Sequence, residues 1–389
     1  MCDVGQSAPT RSTPGQVARR PGAPTSGVQT CCPDVAEFRK AGRPADYFGF
    51  DDKTDMVDTG TDPYWVPAAR AKTAPTDRLT RDGAIWLSVE KGQTTKCVID
   101  FTNNLTCISS CTYETRPGGK VTVVTSAISA DRAVFEIRGD NAGDATVVVR
   151  CNGQDKGWVH VACHERLTFS VGMCEVNQSV TTGTGATART SLTLPRPTMN
   201  VARYQSFFDE CYRAACIKVN ITALPRHDVP ASVNLSPGGG FFDANGQMES
   251  PGYRGRMTTG IYPVTDAIDS AVRRAHPGYD KYLYLMIPPG ARRAGTGYLN
   301  GFARGIGGNY AIFFNDDAGT YSTAAHEFGH TINLRHPNDP AGTGQYPAHL
   351  RAGSDNVPVN DVLNLMGYGN PRNRRKELRY KQWKAASGR

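Results

Sequence analysis

Residues 326–336 read HEFGHTINLRH, and this string constrains the chain more than any other feature. In a helix, His326 and His330 project from one face, one turn apart, so that both imidazoles can share a metal ion. A third imidazole, that of His336, reaches the same ion only if the helix ends and the chain turns sharply. We expect the turn at Asn333, because Asn tolerates the left-handed conformation that ends helices.

Three histidine nitrogens predict a catalytic zinc site. Structural sites are closed by a fourth protein ligand, whereas three neutral nitrogens leave the fourth tetrahedral position to water. Zinc lowers the pKa of its bound water from about 15.7 to about 7, and Glu327, next to the first histidine, is placed to take a proton from that water. The alternative is that His326 and His330 are ordinary surface histidines on an amphipathic helix.

The string resembles the HExxHxxGxxH signature of the metzincin zinc endopeptidases, with Asn333 where the family has Gly. Downstream, residues 363–369 (LNLMGYG) resemble the methionine-containing turn of the same clan. The resemblance implies that Met366 lies beneath the metal and that Tyr368 is an additional, displaceable zinc ligand. For Tyr368 the alternative is a packed side chain without metal contact.

The resemblance implies a zinc-dependent endopeptidase that acts on a protein or peptide substrate. Glu327 would be the general base and would pass its proton to the leaving amine, while Zn²⁺ and Tyr368 stabilise the oxyanion. Two alternatives remain open: a hydrolase of cell-wall peptide crosslinks, and a non-catalytic binding protein with a structural metal site. The predicted metal ligands are His326, His330 and His336.

Short segments with strand character fill residues 81–175 and are separated by turn residues such as Arg116-Pro117-Gly118-Gly119. Short strands at this spacing predict a β-sandwich, and the region resembles a bacterial immunoglobulin-like (Ig-like) module. The predicted strands cover 84–90, 96–101, 120–125, 133–138, 145–151, 157–162 and 166–171.

Two regions flank the predicted sandwich. Residues 1–80 are rich in Pro, Gly, Ser, Thr and Asp, which predicts a partly disordered leader, with disorder over 1–30. The stretch after it is rich in aromatic residues and is expected to dock either on the neighbouring domain or on an outside partner. Residues 176–198 are rich in Thr and Gly and predict a linker.

The last region, 199–389, is expected to be an α+β metzincin-like peptidase domain, so the predicted fold class is multidomain, an Ig-like β-sandwich followed by this domain. In the resembled family, the strand before the zinc helix lies at the sheet edge and pairs with the substrate backbone. We expect the same of 309–315, and we predict a loop over 295–308. The predicted helices and strands of this region are 201–215, 217–223, 264–275, 281–287 and 309–314.

The net charge of +8 is concentrated at the C-terminus, where residues 370–389 hold eight Lys or Arg against Glu377 alone, a net +7. A basic helix could contact nucleic acid. We favour a different interpretation, in which Leu378 and Trp383 anchor the segment on the peptidase domain while its charges stay solvated. Nucleic acid is therefore not an expected partner.

All eleven cysteines precede residue 217, away from the zinc motif. Their spacings do not form the paired CxxC units of a structural zinc site, so we expect disulfides made in an oxidising compartment. The alternative is that several are reduced and buried as small apolar side chains.

No apolar run approaches the roughly 18 residues of a membrane span, and residues 1–7 carry no signal-like region. We therefore expect a toxin-like effector that is cytoplasmic before export and is secreted by a route that needs no signal peptide. The N-terminal half would contact the secretion apparatus.

Overall fold

A computed structural model describes the chain in separate segments. The chain divides into two units, Met1–Cys31 and Cys32–Arg389. The first unit lies outside the described segments, and all features below belong to the second. The predicted disorder over 1–30 therefore lies outside the described residues. These are 35–41, 48–51, 85–102, 111–128, 132–177, 180–182, 189–191, 199–228, 261–286, 293–294, 297–298, 300–314, 320–336, 364–367, 378, 380–386 and 388.

The N-terminal strands form two sheets around one hydrophobic core. The strands are β1 (Val35–Lys40), β2 (Gly49–Asp51), β3 (Trp86–Glu90), β4 (Thr94–Thr102), β5 (Cys111–Arg116), β6 (Val121–Ile128), β7 (Arg132–Gly139), β8 (Gly143–Cys151) and β9 (Gln154–His164). One sheet has the order β1-β4-β7-β6 and the other β2-β3-β9-β8-β5. Ile99, Phe135 and Val149 are fully buried in the shared core, as alternate residues are when two sheets pack face to face.

Two of these strands come from the predicted leader. β1 pairs antiparallel with β4, and β2 pairs antiparallel with β3, so the two sheets begin well before residue 81. The two sheets therefore include 35–40 and 49–51, which lie in the region that we predicted as a leader and docking region. The sequence reading also missed β5, because its residues, CTYETR, are polar and mostly half-buried.

A third, mixed sheet forms the C-terminal part. Its strands are β10 (Leu167–Asn177), β13 (Ile217–Ala223), β14 (His227–Asp228), β15 (Lys281–Met286), β18 (Gly301–Ala303) and β19 (Tyr310–Phe314). The order is β13-β10-β15-β19-β18, with β14 also paired to β10. The strands β13, β10, β15 and β19 run parallel, and β18 is antiparallel to β19.

The strand β10 corrects the predicted sandwich, which was expected to include 166–171. It lies between β13 and β15 in the mixed sheet. Val171 and Cys174 are fully buried in different cores, because both faces of this strand are covered. A strand buried on both faces is typical of parallel sheets, but its sequence does not indicate which sheet it joins.

Two hairpins lie outside the large sheets. In the predicted linker, β11 (Val180–Thr182) pairs antiparallel with β12 (Arg189–Ser191). In the second hairpin, β16 (Arg293–Ala294) pairs with β17 (Gly297–Tyr298). The strand β16 lies just before the predicted loop 295–308, and β17 lies within it.

Helices cover both faces of the mixed sheet. They are α1 (Val201–Tyr212), α2 (Ile261–Ala275), α3 (Thr320–Thr331) and α4 (Tyr380–Ala386). Phe208 of α1 and Phe328 of α3 share a core with Leu283 of β15, whereas Ile268 of α2 packs with Tyr284 on the opposite face. The side-chain alternation of the strands thus places the histidine helix α3 on the α1 face. Among the helices of the described segments, none has the length and hydropathy needed to span a membrane.

The two parts share a core through α4. Trp86 and Ala162 of the sandwich are buried in the same cluster as Trp383. Leu378 and Trp383 are 3% and 0% exposed, and the Trp383 indole N–H donates to the Leu378 carbonyl at 2.7 Å. The prediction that these two residues anchor the basic segment is confirmed. The predicted docking region contributes Phe48, whose ring lies 5.1 Å from the Arg213 guanidinium.

The predicted disulfides are not confirmed, since no disulfide joins the seven described cysteines. All seven are buried, and burial raises the pKa of the Cys97 thiol to about 12 and that of Cys174 to about 11. The burial of these seven residues fits the alternative interpretation, small apolar side chains in the core. They are Cys97, Cys111, Cys151, Cys163, Cys174, Cys211 and Cys216.

Candidate metal centre

The histidine helix α3 ends in the predicted turn. Asn333 has φ 71°, in the left-handed region. The Leu334 N–H donates to the Gly329 carbonyl at 2.9 Å, and the Asn333 N–H donates to the His330 carbonyl at 3.2 Å. These are the two hydrogen bonds of a Schellman motif, which reverses the chain at a helix end. Asn333 therefore returns the chain toward the face that carries the first two histidines.

This reversal brings His336 against His326 and His330. The Nε2 atom of His336 lies 2.9 Å from that of His326 and 3.0 Å from that of His330. All three residues form one cluster whose candidate ligand atoms lie within 4.8 Å of one another. Both helical histidines are buried, and His336 is half-buried. The structure thus brings together the three residues that the sequence predicted as metal ligands.

Backbone carbonyls fix the tautomers of the two helical histidines. Nδ1 of His326 donates to the Leu365 carbonyl at 2.8 Å, and Nδ1 of His330 donates to the Leu334 carbonyl at 2.7 Å. A carbonyl only accepts, so each Nδ1 carries the proton and each Nε2 presents a lone pair. Such bonds also hold the ring planes of metal-binding histidines.

The converging nitrogens fit a cation better than a proton. A proton on Nε2 of His336 can point at only one of the other two Nε2 atoms, and the remaining contact would oppose two lone pairs. A divalent ion accepts all three lone pairs at once. Zinc–nitrogen bonds of about 2.0–2.1 Å place tetrahedral ligands about 3.3–3.4 Å apart, so the two short contacts need to lengthen by only about 0.3–0.5 Å. The donor set therefore fits zinc.

Glu327 lies under the edge strand β18. It is 8% exposed. A Cβ atom at Gly301 would lie 3.0 Å from Cγ of Glu327 and 2.8 Å from Cγ2 of Thr323. Only glycine permits this close approach of strand and helix. The predicted base thus packs against β18.

The edge strand itself differs from the prediction, which placed 309–315 at the sheet edge. The corresponding strand, β19, pairs with β15 on one side and with β18 on the other. Among the described strands, the one at this edge of the sheet is β18, from the stretch 295–308 that we predicted to be a loop, and β13 lies at the opposite edge. Three residues that include a glycine give too little periodicity for a sequence pattern to detect.

The residues 364–367 form a turn beneath α3. Met366 is fully buried, and a Cβ atom at Gly329 would lie 2.7 Å from its Sδ atom. Met366 therefore contacts the helix between the two histidines, where the predicted methionine-containing turn places it. Tyr368, the predicted fourth ligand, lies outside the described residues.

The sequence did not predict a role at the site for Leu365 or Gln382. Leu365 supplies the carbonyl for His326, and a backbone acceptor has no signature in sequence. Gln382 contacts the same turn from α4, and it lies in a segment where the sequence indicated only Leu378 and Trp383 as buried residues.

No protein-family model and no curated protein matches the chain. Among solved structures, the chain is similar to an archaemetzincin from Archaeoglobus fulgidus in complex with malonate, at 14% identity and TM-score 0.26, covering 56% of this chain and 99% of that one. It is also similar to a zinc-dependent peptidase from Methanocorpusculum labreanum, at 11% identity and TM-score 0.30, with the same coverage of 56% and 99%.

The chain is similar as well to domains 4 and 5 of the S-layer protein SbsC, at 15% identity and TM-score 0.17. That similarity covers 20% of this chain and 46% of the S-layer structure, less than half of its length. The similar structures thus include zinc peptidases and a surface-layer protein. Because identities and TM-scores are low, the functional conclusion rests on the histidine cluster.

Proposed function

We propose that the chain is a zinc-dependent endopeptidase of the metzincin type, in which His326, His330 and His336 hold Zn²⁺. The observation that carries the proposal is the convergence of three Nε2 atoms from a helix that ends at the left-handed Asn333. A zinc ion held there would supply a Lewis acid and lower the pKa of a water molecule to about 7.

In this proposal, Glu327 moves the proton. Its carboxylate takes a proton from the attacking water as the C–O bond forms. It then delivers this proton to the nitrogen of the leaving amine, and the peptide C–N bond breaks. The contact with Gly301 supports this role, because it restricts the side chain of Glu327, which directly follows His326 in α3. A base held in place needs little reorganisation when the proton moves.

The edge strand β18 is the proposed substrate platform. Within the described residues it pairs only with β19, and its position over Glu327 would bring an added strand to the metal centre. A protein or peptide substrate would bind there in extended form, with backbone hydrogen bonds to β18. The stabilising role of Tyr368 rests on the sequence resemblance alone.

The biological setting stays a prediction. The toxin-like effector role, the secretion-apparatus partner and export without a signal peptide rest on sequence features, and no contact in the described residues bears on them. The Ig-like identity of the two-sheet sandwich and a cell-wall substrate are likewise predictions from the sequence.

The test compares zinc content and proteolysis in four proteins. The wild type should bind zinc and cleave casein. Glu327→Gln should keep zinc and lose about 10²- to 10⁴-fold in rate, as expected for removal of a general base. His336→Ala should lose both zinc and activity. His276→Ala is the matched control, since this half-buried histidine directly follows α2 and is not a member of the histidine cluster.

Equal zinc content and equal activity in all four proteins would reject the proposal. Cleavage of purified peptidoglycan but not of casein would favour the cell-wall hydrolase. Zinc binding without cleavage of either, and with Glu327→Gln indistinguishable from wild type, would favour the structural metal site.

A further inference from the structure

We propose that Gln382, on α4, is a positioning residue for the metal centre: it holds the turn whose Leu365 carbonyl orients His326. This inference rests on the proposed zinc function and assigns a role in it to the last helix. Gln382 lies 56 positions after His326 in the sequence, and three successive contacts connect the two side chains.

The first contact is a reciprocal amide pair between Gln382 and Asn364. Nδ2 of Asn364 donates to Oε1 of Gln382 at 2.7 Å, and Nε2 of Gln382 donates to Oδ1 of Asn364 at 3.2 Å. Gln382 is 0% and Asn364 1% exposed. Water cannot replace either partner at such a site, so removal of one amide deprives the other of this pair of hydrogen bonds at a buried position.

The second contact lies within the turn. Oδ1 of Asn364 also accepts the N–H of Met366 at 3.0 Å, and the Asn364 carbonyl accepts the N–H of Gly367 at 3.1 Å. One asparagine thus fixes the turn from both its side chain and its backbone. Its side-chain orientation is set in turn by Gln382.

The third contact reaches the metal centre. Leu365 lies between Asn364 and Met366, and its carbonyl accepts Nδ1–H of His326. The corresponding acceptor for His330 is Leu334, only four positions further along the chain. His330 therefore carries its support within the helix end, whereas His326 depends on a carbonyl 39 positions away. Of these two helical ligands, His326 is the one that needs tertiary support, and Gln382 supplies it through Asn364.

The experiment replaces Gln382 by an apolar side chain of similar size, Gln382→Met, in the full chain. The matched control is Trp383→Phe, which is also fully buried on α4 and loses the hydrogen bond to the Leu378 carbonyl, a contact that does not reach the turn. For each protein we would measure zinc affinity by chelator competition, the visible spectrum of the Co²⁺-substituted form, and the unfolding midpoint of the metal-free form.

Both variants should lower the unfolding midpoint. Gln382→Met alone should weaken zinc binding about 10- to 100-fold, as is typical when the hydrogen bond behind a metal-binding histidine is lost, and it should change the Co²⁺ spectrum. Asn364→Ser gives the same test from the other side: Ser can still accept the Met366 N–H but cannot reach Gln382, so zinc affinity should fall here too.

Unchanged zinc affinity in Gln382→Met and Asn364→Ser, or equal weakening in Trp383→Phe, would overturn the positioning role. A wild type that binds no zinc would instead reject the proposed function itself. If Gln382→Met does not fold, Asn364→Ser decides the question.

Discussion

Nζ of Lys384 lies 2.9 Å from Oδ2 of Asp144 and joins the last helix, α4, to strand β8 of the sandwich. The two side chains are 37% and 38% exposed, so solvent screens their attraction. Pairs of this kind contribute about 0.2–1 kcal/mol. The ion pair therefore orients α4 on the sandwich more than it stabilises the fold.

Reversing one charge of this pair should cost little. We expect Lys384→Asp to lower the free energy of unfolding by about 0.5–1 kcal/mol, and the double change Lys384→Asp with Asp144→Lys to recover most of that loss. Urea unfolding measures both, and the difference should shrink in high salt. A double variant no more stable than the single one would show that the contact does not contribute.

At the helix end, Asn333→Ala should destabilise the protein by about 1–2 kcal/mol, because a Cβ-bearing residue without a polar side chain is unfavourable at φ 71°. Asn333→Gly should be close to neutral. Zinc affinity should fall in Asn333→Ala, since the turn places His336. Asn152→Ala is the control at φ 49° in a hairpin of the sandwich: it should lose stability without any change in zinc affinity.

Under the edge strand, Gly301→Ala should reduce catalytic rate while zinc stays bound. The added methyl group would lie 2.8 Å from the Ile312 carbonyl and 3.0 Å from Cγ of Glu327, so β18 or the base must shift. Overpacking of this kind costs about 1–3 kcal/mol. Gly118→Ala is the control, because the nearest atom to its Cβ is 4.0 Å away. Full activity in Gly301→Ala would show that the base is not confined there.

Asp280 should make stability depend on pH. Two hydrogen bonds from Ser170, from its N–H at 2.7 Å and its hydroxyl at 2.8 Å, lower the pKa of the Asp280 carboxyl. Folding thus favours the charged form, and the stabilisation is present above the unfolded pKa of about 3.9 and is lost as the pH falls through the lower folded pKa.

Asp280→Asn should therefore cost about 0.5–1 kcal/mol near neutral pH, a value reduced because the residue is exposed. The difference from wild type should shrink at about pH 3. Urea unfolding at the two pH values measures it. A difference that stays constant with pH would show that the carboxylate charge does not contribute.

The parts of the site that sequence predicted are those set by local geometry. The spacing of His326 and His330 indicates one helix face, and the turn at Asn333 follows from backbone preference; both are confirmed. The Leu365 carbonyl and the Gln382 amide could not be predicted, because their contacts join distant segments and depend on how α4 packs. The sheet that β10 joins was also beyond prediction, since burial on both faces fits more than one sheet.

The junction between the two parts limits how the protein can be divided. The strand β9 ends at His164 and β10 begins at Leu167, and Arg166 between them forms an ion pair with Glu90 of β3. Two residues give no hinge. A recombinant fragment that starts at residue 199, where the peptidase region was predicted to begin, would omit a central strand of its own sheet, so autonomous expression of that region requires a start before Leu167.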